Sequence, residues 1–151
     1  MKYVGIDPGL SGAIAVVDSD YQLVDVIDMP NLAGLVSYDI VREYIAKWNP
    51  AHIAIETLTI LNNQKGAVTM GRNYGRLDVA VDLWPVTRFR PQDWGRTVGR
   101  PAGTDKKWAL ARVRELWPDK RDLFARAKDD GRADAALIAL AFLKTMDRRA
   151  A

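Results

Sequence analysis

The hydrophobic pattern of this 151-residue chain changes from strand-like near its start to helix-like near its end. Short apolar runs bounded by turn residues are typical of β-strands and predict five of them. The predicted strands are Lys2–Asp7, Gly12–Val17, Gln22–Met29, Ala51–Leu58 and Val86–Arg90. Because only short turns separate the first three, we expect them to form an antiparallel meander.

Apolar residues at helical spacing predict four helices. They cover Ser37–Trp48, Ala67–Leu83, Asp105–Trp117 and a last segment from about Arg132 to Met146. Ser37 is the expected N-cap of the first helix, and Pro91–Gly103 is expected to form a short helical turn followed by a mobile basic loop. Early strands with helices interleaved later predict an α/β fold, a five-stranded mixed sheet flanked by helices, in one domain over residues 1–151.

The composition is that of an ordinary globular chain, with 48% apolar and 27% charged residues. The absence of cysteine excludes a disulfide scaffold and a thiolate zinc site, and it suits a reducing compartment. No apolar run approaches the roughly 20 residues of a membrane span, and the chain begins in a strand pattern without a signal peptide. We therefore expect a soluble, cytoplasmic protein.

Charge is distributed unevenly along the chain. The first 60 residues contain three basic and eight acidic residues, whereas the remaining 91 contain nineteen basic and eleven acidic residues. A basic excess of this kind is typical of a surface that binds a polyanion, and equally of a solvated basic surface.

Acidic residues interrupt apolar runs in three separate elements. Asp7 ends the first strand, where the following Pro8-Gly9 also allows a simple turn aspartate. Glu56 follows Ile53-Ala54-Ile55 in a strand that we expect to be central, where the alternative is a salt bridge to an arginine. Buried carboxylates are costly unless a positive charge neutralises them.

The third acidic element is the start of the last helix. Asp130 and Asp134 are four residues apart, so on a helix they project from one face with Cβ atoms about 5–6 Å apart. Asp130 is alternatively an N-cap. If Asp7 and Glu56 meet this pair, a pair of Mg²⁺ ions would relieve the repulsion among four carboxylates and would support phosphodiester hydrolysis. A structural Ca²⁺ site is the weaker alternative, and His52 is expected to be a packed residue.

These motifs resemble those of RuvC-type Holliday-junction resolvases in the ribonuclease H-like superfamily, above all the compact RuvC-like proteins of phages and prophages. The resemblance rests on Gly5-Ile6-Asp7-Pro8-Gly9, Ile55-Glu56 and the Asp130…Asp134 helix. Gln64-Lys65-Gly66 with Met70–Leu77, and loosely Val86–Trp94, extend it through the middle of the chain.

The resemblance implies a crossover-junction endodeoxyribonuclease with Asp7, Glu56, Asp130 and Asp134 as catalytic metal ligands for Mg²⁺, two ions per active site, with Mn²⁺ as a substitute. It also implies a catalytic lysine, for which Lys106 is favoured over Lys107. It further implies a homodimer, formed through the helix Ala67–Leu83, that cleaves branched DNA in a bacterial host or phage-infected cell.

Basic and polar residues on the second helix and around it are candidates for phosphate contacts, which position a duplex without reading much sequence. The predicted DNA-binding residues are Gln64, Lys65, Arg72, Arg76 and Lys107. A later basic stretch contains Arg88, Arg90, Arg96 and Arg100, interleaved with Trp94 and Trp108, which we expect to be core residues rather than base contacts.

The chain departs from bacterial housekeeping resolvases in two places. Three residues rather than two separate the last acidic pair, so Asp129 competes with Asp130 as the ligand. The segment Thr59–Lys65 has no aromatic residue to open a junction, which leaves its selectivity for four-way junctions over other branched DNA open. Alternative functions are a ribonuclease acting on RNA–DNA hybrids, an ATPase or sugar-kinase-like domain, and a non-catalytic junction-binding module.

Overall fold

A computed structural model describes residues 1–59, 66–105 and 107–151 of the chain. The strands of its main sheet are β1 (Lys2–Asp7), β2 (Ala13–Asp18), β3 (Leu23–Asp28), β6 (His52–Glu56) and β7 (Val86–Phe89). They are arranged in the order β3-β2-β1-β6-β7. Strands β1, β2 and β3 form the predicted antiparallel meander, whereas β6 is parallel to β1 and β7 is parallel to β6. A separate hairpin is formed by β4 (Asn31–Leu32) and β5 (Leu35–Val36).

Five α-helices lie in the described part of the chain. They are α1 (Tyr38–Trp48), α2 (Ala67–Val81), α3 (Pro91–Thr97), α4 (Lys107–Leu116) and α5 (Asp130–Ala150), and a 3-10 helix over Pro118–Phe124 precedes α5. None of the helices in the described ranges is long and apolar enough to cross a bilayer.

The sheet separates two hydrophobic cores. On one face, α5 packs with α3 and α4 against alternate residues of the strands, including Ala13, Ala15 and Ala54. On the other face, α1 and α2 cover Val4, Ile6, Ile53 and their neighbours. Since side chains of a strand alternate between faces, the face of each remaining strand residue follows from its position.

The α5 helix approaches β1 so closely that only glycine fits at position 5. A Cβ atom on Gly5 would lie 2.1 Å from the carbonyl oxygen of Ala135 and 2.5 Å from the backbone nitrogen of Ala139. Van der Waals contact between backbones therefore fixes the height of α5 above the sheet.

Several predicted boundaries need correction. The last helix begins at Asp130 rather than near Arg132, and it continues to Ala150 rather than Met146. Ser37 occupies the N-cap position of α1, but its side chain makes no capping hydrogen bond. Of the segment Gln64-Lys65-Gly66, only Gly66 lies within the described residues, and it has a left-handed backbone before α2.

Candidate active site

Asp7 and Glu56 end two adjacent parallel strands and face the same side of the sheet. Ile6 and Ile55 are paired in the register of β1 and β6, so each carboxylate follows directly after the last paired residue of its strand. Asp7 is directly opposite Ala13, and Glu56 is two residues beyond Ala54, which places both on the α5 face. Because neighbouring strands lie about 4.8 Å apart, the two side chains begin close together.

The first turn of α5 lies directly beside Asp7. A Cβ atom on Gly131 would be 3.2 Å from Oδ2 of Asp7 and 2.5 Å from the carbonyl oxygen of Ser11. Gly131 thus allows the helix start, with Asp130 as its first residue, to contact the turn after β1. Asp130 and Asp134 follow one another along a single face of this helix, and both are half-buried.

Asp129 is used structurally, which favours Asp130 over Asp129 as the candidate ligand. The Asp129 side chain is 1% exposed and accepts hydrogen bonds from Nε of Arg126 at 2.7 Å and from its backbone N–H at 2.8 Å. Burial alone would raise the pKa of Asp129, but the hydrogen bonds from Arg126 hold it below the usual value. Asp28 binds Arg126 as well as Arg132, so β3 is tied to the start of α5.

Glu56 is held by an indole rather than by the arginine that a salt bridge would require. Nε1 of Trp94 donates a hydrogen bond of 2.6 Å to Oε2 of Glu56. Burial raises the pKa of Glu56, while the Trp94 hydrogen bond and the nearby charge of Arg100 act in the opposite direction. A carboxylate whose pKa is raised by burial gains from a cation at this place.

The donor chemistry of these residues fits a hard divalent cation, since all four candidate ligands are carboxylates. Among residues 1–59, 66–105 and 107–151, however, no three acidic, histidine or cysteine side chains stand close enough to hold one metal ion. The structure brings Asp7 against the start of α5 and aligns Glu56 with it on the same face. Convergence of Asp7, Glu56, Asp130 and Asp134 on metal ions stays a prediction.

The predicted basic residues fall into three groups. Gln64, Lys65 and the favoured catalytic residue Lys106 lie outside the described residues. Lys107 and Arg72 are exposed, at the start of α4 and on α2 respectively. The Arg76 guanidinium, by contrast, donates to the carbonyl of Val36 and stands over the ring of Tyr38.

Two arginines of the later basic stretch are engaged in exposed ion pairs. Arg88 binds Asp78 and Arg90 binds Asp93, each at 2.7 Å. Such pairs contribute about 0–1 kcal/mol, so a phosphate group can replace the carboxylate at little cost. Further along, Arg96 and Arg100 line a basic pocket of about 570 Å³ with Gln92 and Thr104.

The packing predicted for Trp94 and His52 is confirmed, Trp108 is only partly buried against the same core, and the contact of Trp94 with Glu56 was not predicted. Trp94 is a core residue, as expected, and His52 packs against Phe142 rather than lying near the acids. The contact of Trp94 with Glu56 follows from topology: Glu56 is paired with Phe89 at the end of β7, and α3 begins two residues later. The sequence alone does not show that β6 and β7 are neighbours.

Comparison with known proteins places the chain near one group. No protein-family model matches it. The chain is 28% identical over 152 residues to the crossover junction endodeoxyribonuclease RuvC of Roseiflexus sp. (strain RS-1), covering 92% of this chain and 88% of that protein.

Solved structures show the same architecture. Thermus thermophilus RuvC superposes with a TM-score of 0.72 at 20% identity, over 99% of this chain and 97% of that one. A structure of T. thermophilus RuvC in complex with Holliday junction substrate gives a TM-score of 0.72 at 20% identity, over 98% of this chain and 96% of that one. The fowlpox virus Holliday junction resolvase gives 0.62 at 14% identity, over 97% and 99%. These findings confirm both the resemblance to RuvC-type resolvases and the ribonuclease H-like α/β fold.

Proposed function

We propose that this chain is a metal-dependent, structure-selective endonuclease that resolves four-way DNA junctions and accepts other branched DNA. The observation that carries the proposal is the alignment of Asp7 and Glu56 at adjacent strand ends, with the first turn of α5 against Asp7. Similarity to RuvC over 92% of the chain supports the same reaction. Residues 1–151 act as a single nuclease domain, in the cytoplasm of a bacterial or phage-infected cell.

Asp7, Glu56, Asp130 and Asp134 are the proposed ligands of two Mg²⁺ ions, for which Mn²⁺ substitutes. When bound, two such ions supply an activated water and stabilise the leaving oxygen of the phosphodiester. The described carboxylates are half-buried, so their negative charge is poorly screened by water and favours a divalent cation.

The basic residues are proposed to position the DNA rather than to read its sequence. Arg96 and Arg100 line one basic pocket that can accept a backbone phosphate, and the exposed Arg72 and Lys107 offer further contacts. Lys106 is the proposed lysine that stabilises charge developing on the scissile phosphate.

A second copy of the chain is the proposed partner. The outer surface of α2 leaves Val68 83% exposed and Val79 51% exposed, and Leu83 after the helix is 68% exposed. These residues recur at helical spacing around Gly75, whose missing side chain leaves room for a close approach. A two-fold dimer through Ala67–Leu83 would hold two active sites at a fixed separation, which suits paired cleavage of a symmetric junction.

Replacement of Asp7 tests the nuclease. We expect Asp7→Asn to lower Mg²⁺-dependent cleavage of a four-way junction by at least a hundredfold, because a neutral amide is a weaker ligand for a hard cation. The melting temperature should match that of the wild type. The dissociation constant for the junction, measured in Ca²⁺, should remain within twofold to threefold of the wild-type value. Cleavage is measured on four-way, three-way, flap, linear and RNA–DNA hybrid substrates, in Mg²⁺ and in EDTA.

Asp18→Asn is the matched control for this experiment. Asp18 also ends a strand, but it pairs with Lys2 at the opposite end of β1. Its Oδ1 accepts hydrogen bonds from the backbone of Asp20 and Gln22, which an asparagine oxygen can accept equally. Full activity of Asp7→Asn, or an equal loss in Asp18→Asn, would exclude the proposed site.

A further inference from the structure

Glu56 is oriented by a side chain that belongs to the hydrophobic core. The indole N–H of Trp94 lies 2.6 Å from Oε2 of Glu56, a short distance for a hydrogen bond to a carboxylate. A carboxylate has about four lone-pair sites, so one such bond leaves the remaining sites available to a cation. The hydrogen bond thus restricts the rotamers of Glu56 without using up its capacity as a ligand.

Trp94 is itself rigidly held. Its side chain is 1% exposed within the core beneath α5. The α3 helix that contains it begins with Pro91, two residues after the end of β7, and both the N–H and the hydroxyl of Thr57 donate to the carbonyl of Phe89. These hydrogen bonds fasten the end of β6 to the end of β7, so the distance from Glu56 to α3 has little freedom.

Arg100 packs against the ring of Trp94. The centre of its guanidinium is 5.8 Å from the ring centroid of Trp94 and 6.0 Å from that of Trp108, within the range of cation–π attraction. The Nε of Arg100 also donates to the hydroxyl of Thr104 at 3.2 Å, and Arg100 lines the basic pocket. A cation therefore packs against the indole that binds the acid.

We propose that Trp94 is a positioning residue that holds the Glu56 carboxylate in the orientation in which it binds metal. The inference rests on the proposed function, because it concerns how Glu56 serves as a ligand. Hydrogen bonds to metal ligands fix ligand geometry, and their loss typically lowers metal affinity or activity about 10–100-fold. A tryptophan that only fills the core would contribute to stability alone.

Trp94→Phe tests the proposal because it keeps an aromatic ring and removes the N–H donor. We expect the Mn²⁺ affinity of the DNA-free protein, measured by calorimetry, to fall about tenfold. The Mg²⁺ concentration for half-maximal junction cleavage should rise by a similar factor, with much of the lost rate recovered at saturating Mg²⁺. Junction affinity in Ca²⁺ should change little.

Trp117→Phe is the matched control. Trp117 is 3% exposed, and its Nε1 donates at 2.9 Å to the carbonyl of Tyr21, in the same core but away from the acids. Both replacements remove one buried indole donor and similar volume, so their losses of stability should be comparable. Equal metal dependence in the two variants would show that Trp94 is merely structural.

An NMR measurement on the wild-type protein keeps the test independent of how the variants fold. The chain has five tryptophans, and the indole signal of Trp94 is the one absent from Trp94→Phe, or broadened by Mn²⁺ at close range. Titration with Mg²⁺ should shift this signal and leave that of Trp117 in place. A Trp94 signal that stays in place while wild-type cleavage saturates with Mg²⁺ would overturn the positioning role yet leave the nuclease intact. A wild type that neither binds Mn²⁺ nor cleaves would instead refute the proposed function.

Discussion

His52 shows, at the scale of a single residue, how local packing determines chemistry. Its ring stacks on Phe142 with the centroids 4.2 Å apart and the planes at 13°, and its Nε2 lies 2.9 Å from the hydroxyl of Thr87. Burial lowers the pKa of His52 from its ordinary value near 6.5. Between the lowered pKa of the folded state and about pH 6.5, His52 is therefore neutral in the folded protein and protonated in the unfolded chain.

This difference predicts a pH dependence of stability. Below about pH 6.5 the unfolded state binds more protons at this position, so the free energy of unfolding falls as the pH falls toward the lower, folded-state pKa. Above about pH 6.5 His52 is neutral in both states, and its contribution to the free energy of unfolding is fully present. We expect His52→Phe, which cannot be protonated, to lose less stability between pH 7.5 and 5.5 than the wild type in urea unfolding. Because His52 is the only histidine and both proteins share every acid, equal slopes would contradict the prediction.

Which residues could be predicted at this scale depended on how local their signal is. An acid at the end of an apolar strand is visible in a few neighbouring letters, which is why Asp7 and Glu56 stood out. The hydrogen bond from Trp94 to Glu56 joins residues 38 apart in the chain, and only the pairing of β6 with β7 brings them together. The structural use of Asp129 likewise depends on Arg126 folding back to it.

At the scale of elements, the start of α5 is the clearest difference between expectation and structure. The expected start was near Arg132, and glycine, which has the lowest helix propensity apart from proline, disfavours a helix that includes Gly131. The helix nevertheless includes Gly131, and glycine is required at this position because the backbone of Ser11 and Gly12 leaves no space for a Cβ atom. Tertiary contact outweighed local propensity. The two-residue strands β4 and β5 were missed since alternation cannot show in two residues.

Gly131→Ala tests this contact. Alanine in place of glycine favours a helix by up to about 1 kcal/mol, but overpacking against a backbone costs about 1–3 kcal/mol. We expect the clash to dominate, lowering the free energy of unfolding and slowing cleavage as the helix moves away from Asp7.

Gly75→Ala is the control for Gly131→Ala when both are unfolded at a protein concentration low enough to keep the proposed dimer dissociated. Within a single copy a Cβ atom on Gly75 meets nothing within 4 Å, so only the helix-propensity gain applies. Urea unfolding of both variants at one protein concentration gives the comparison. Equal stabilisation in both would mean that Gly131 is not required for the close approach of α5.

At the scale of the whole molecule, the order of elements was predictable because each strand and helix is amphipathic or apolar in its own right. Two opposite faces of one sheet each needed a helical cover, and the chain supplies α5 for one and α1 with α2 for the other. Packing within a single chain does not explain why part of the surface stays apolar after folding. On α2 that surface persists although the inner side of the helix, including Leu77 and Ala80, is fully packed.

The proposed dimer explains that surface and predicts its own disruption. Val79→Asp would place a charge at the centre of the contact, where like charges from both copies would meet across the two-fold axis. We expect the wild type to sediment as a dimer at micromolar concentration and Val79→Asp as a folded monomer. Met146→Asp is the control, since Met146 is similarly exposed at 46% but lies on α5.

Junction cleavage by the Val79→Asp monomer should leave single nicks instead of paired ones, because separate molecules no longer act within one complex. A wild type that remains monomeric, or a Val79→Asp protein that still dimerises, would show that α2 does not form the interface.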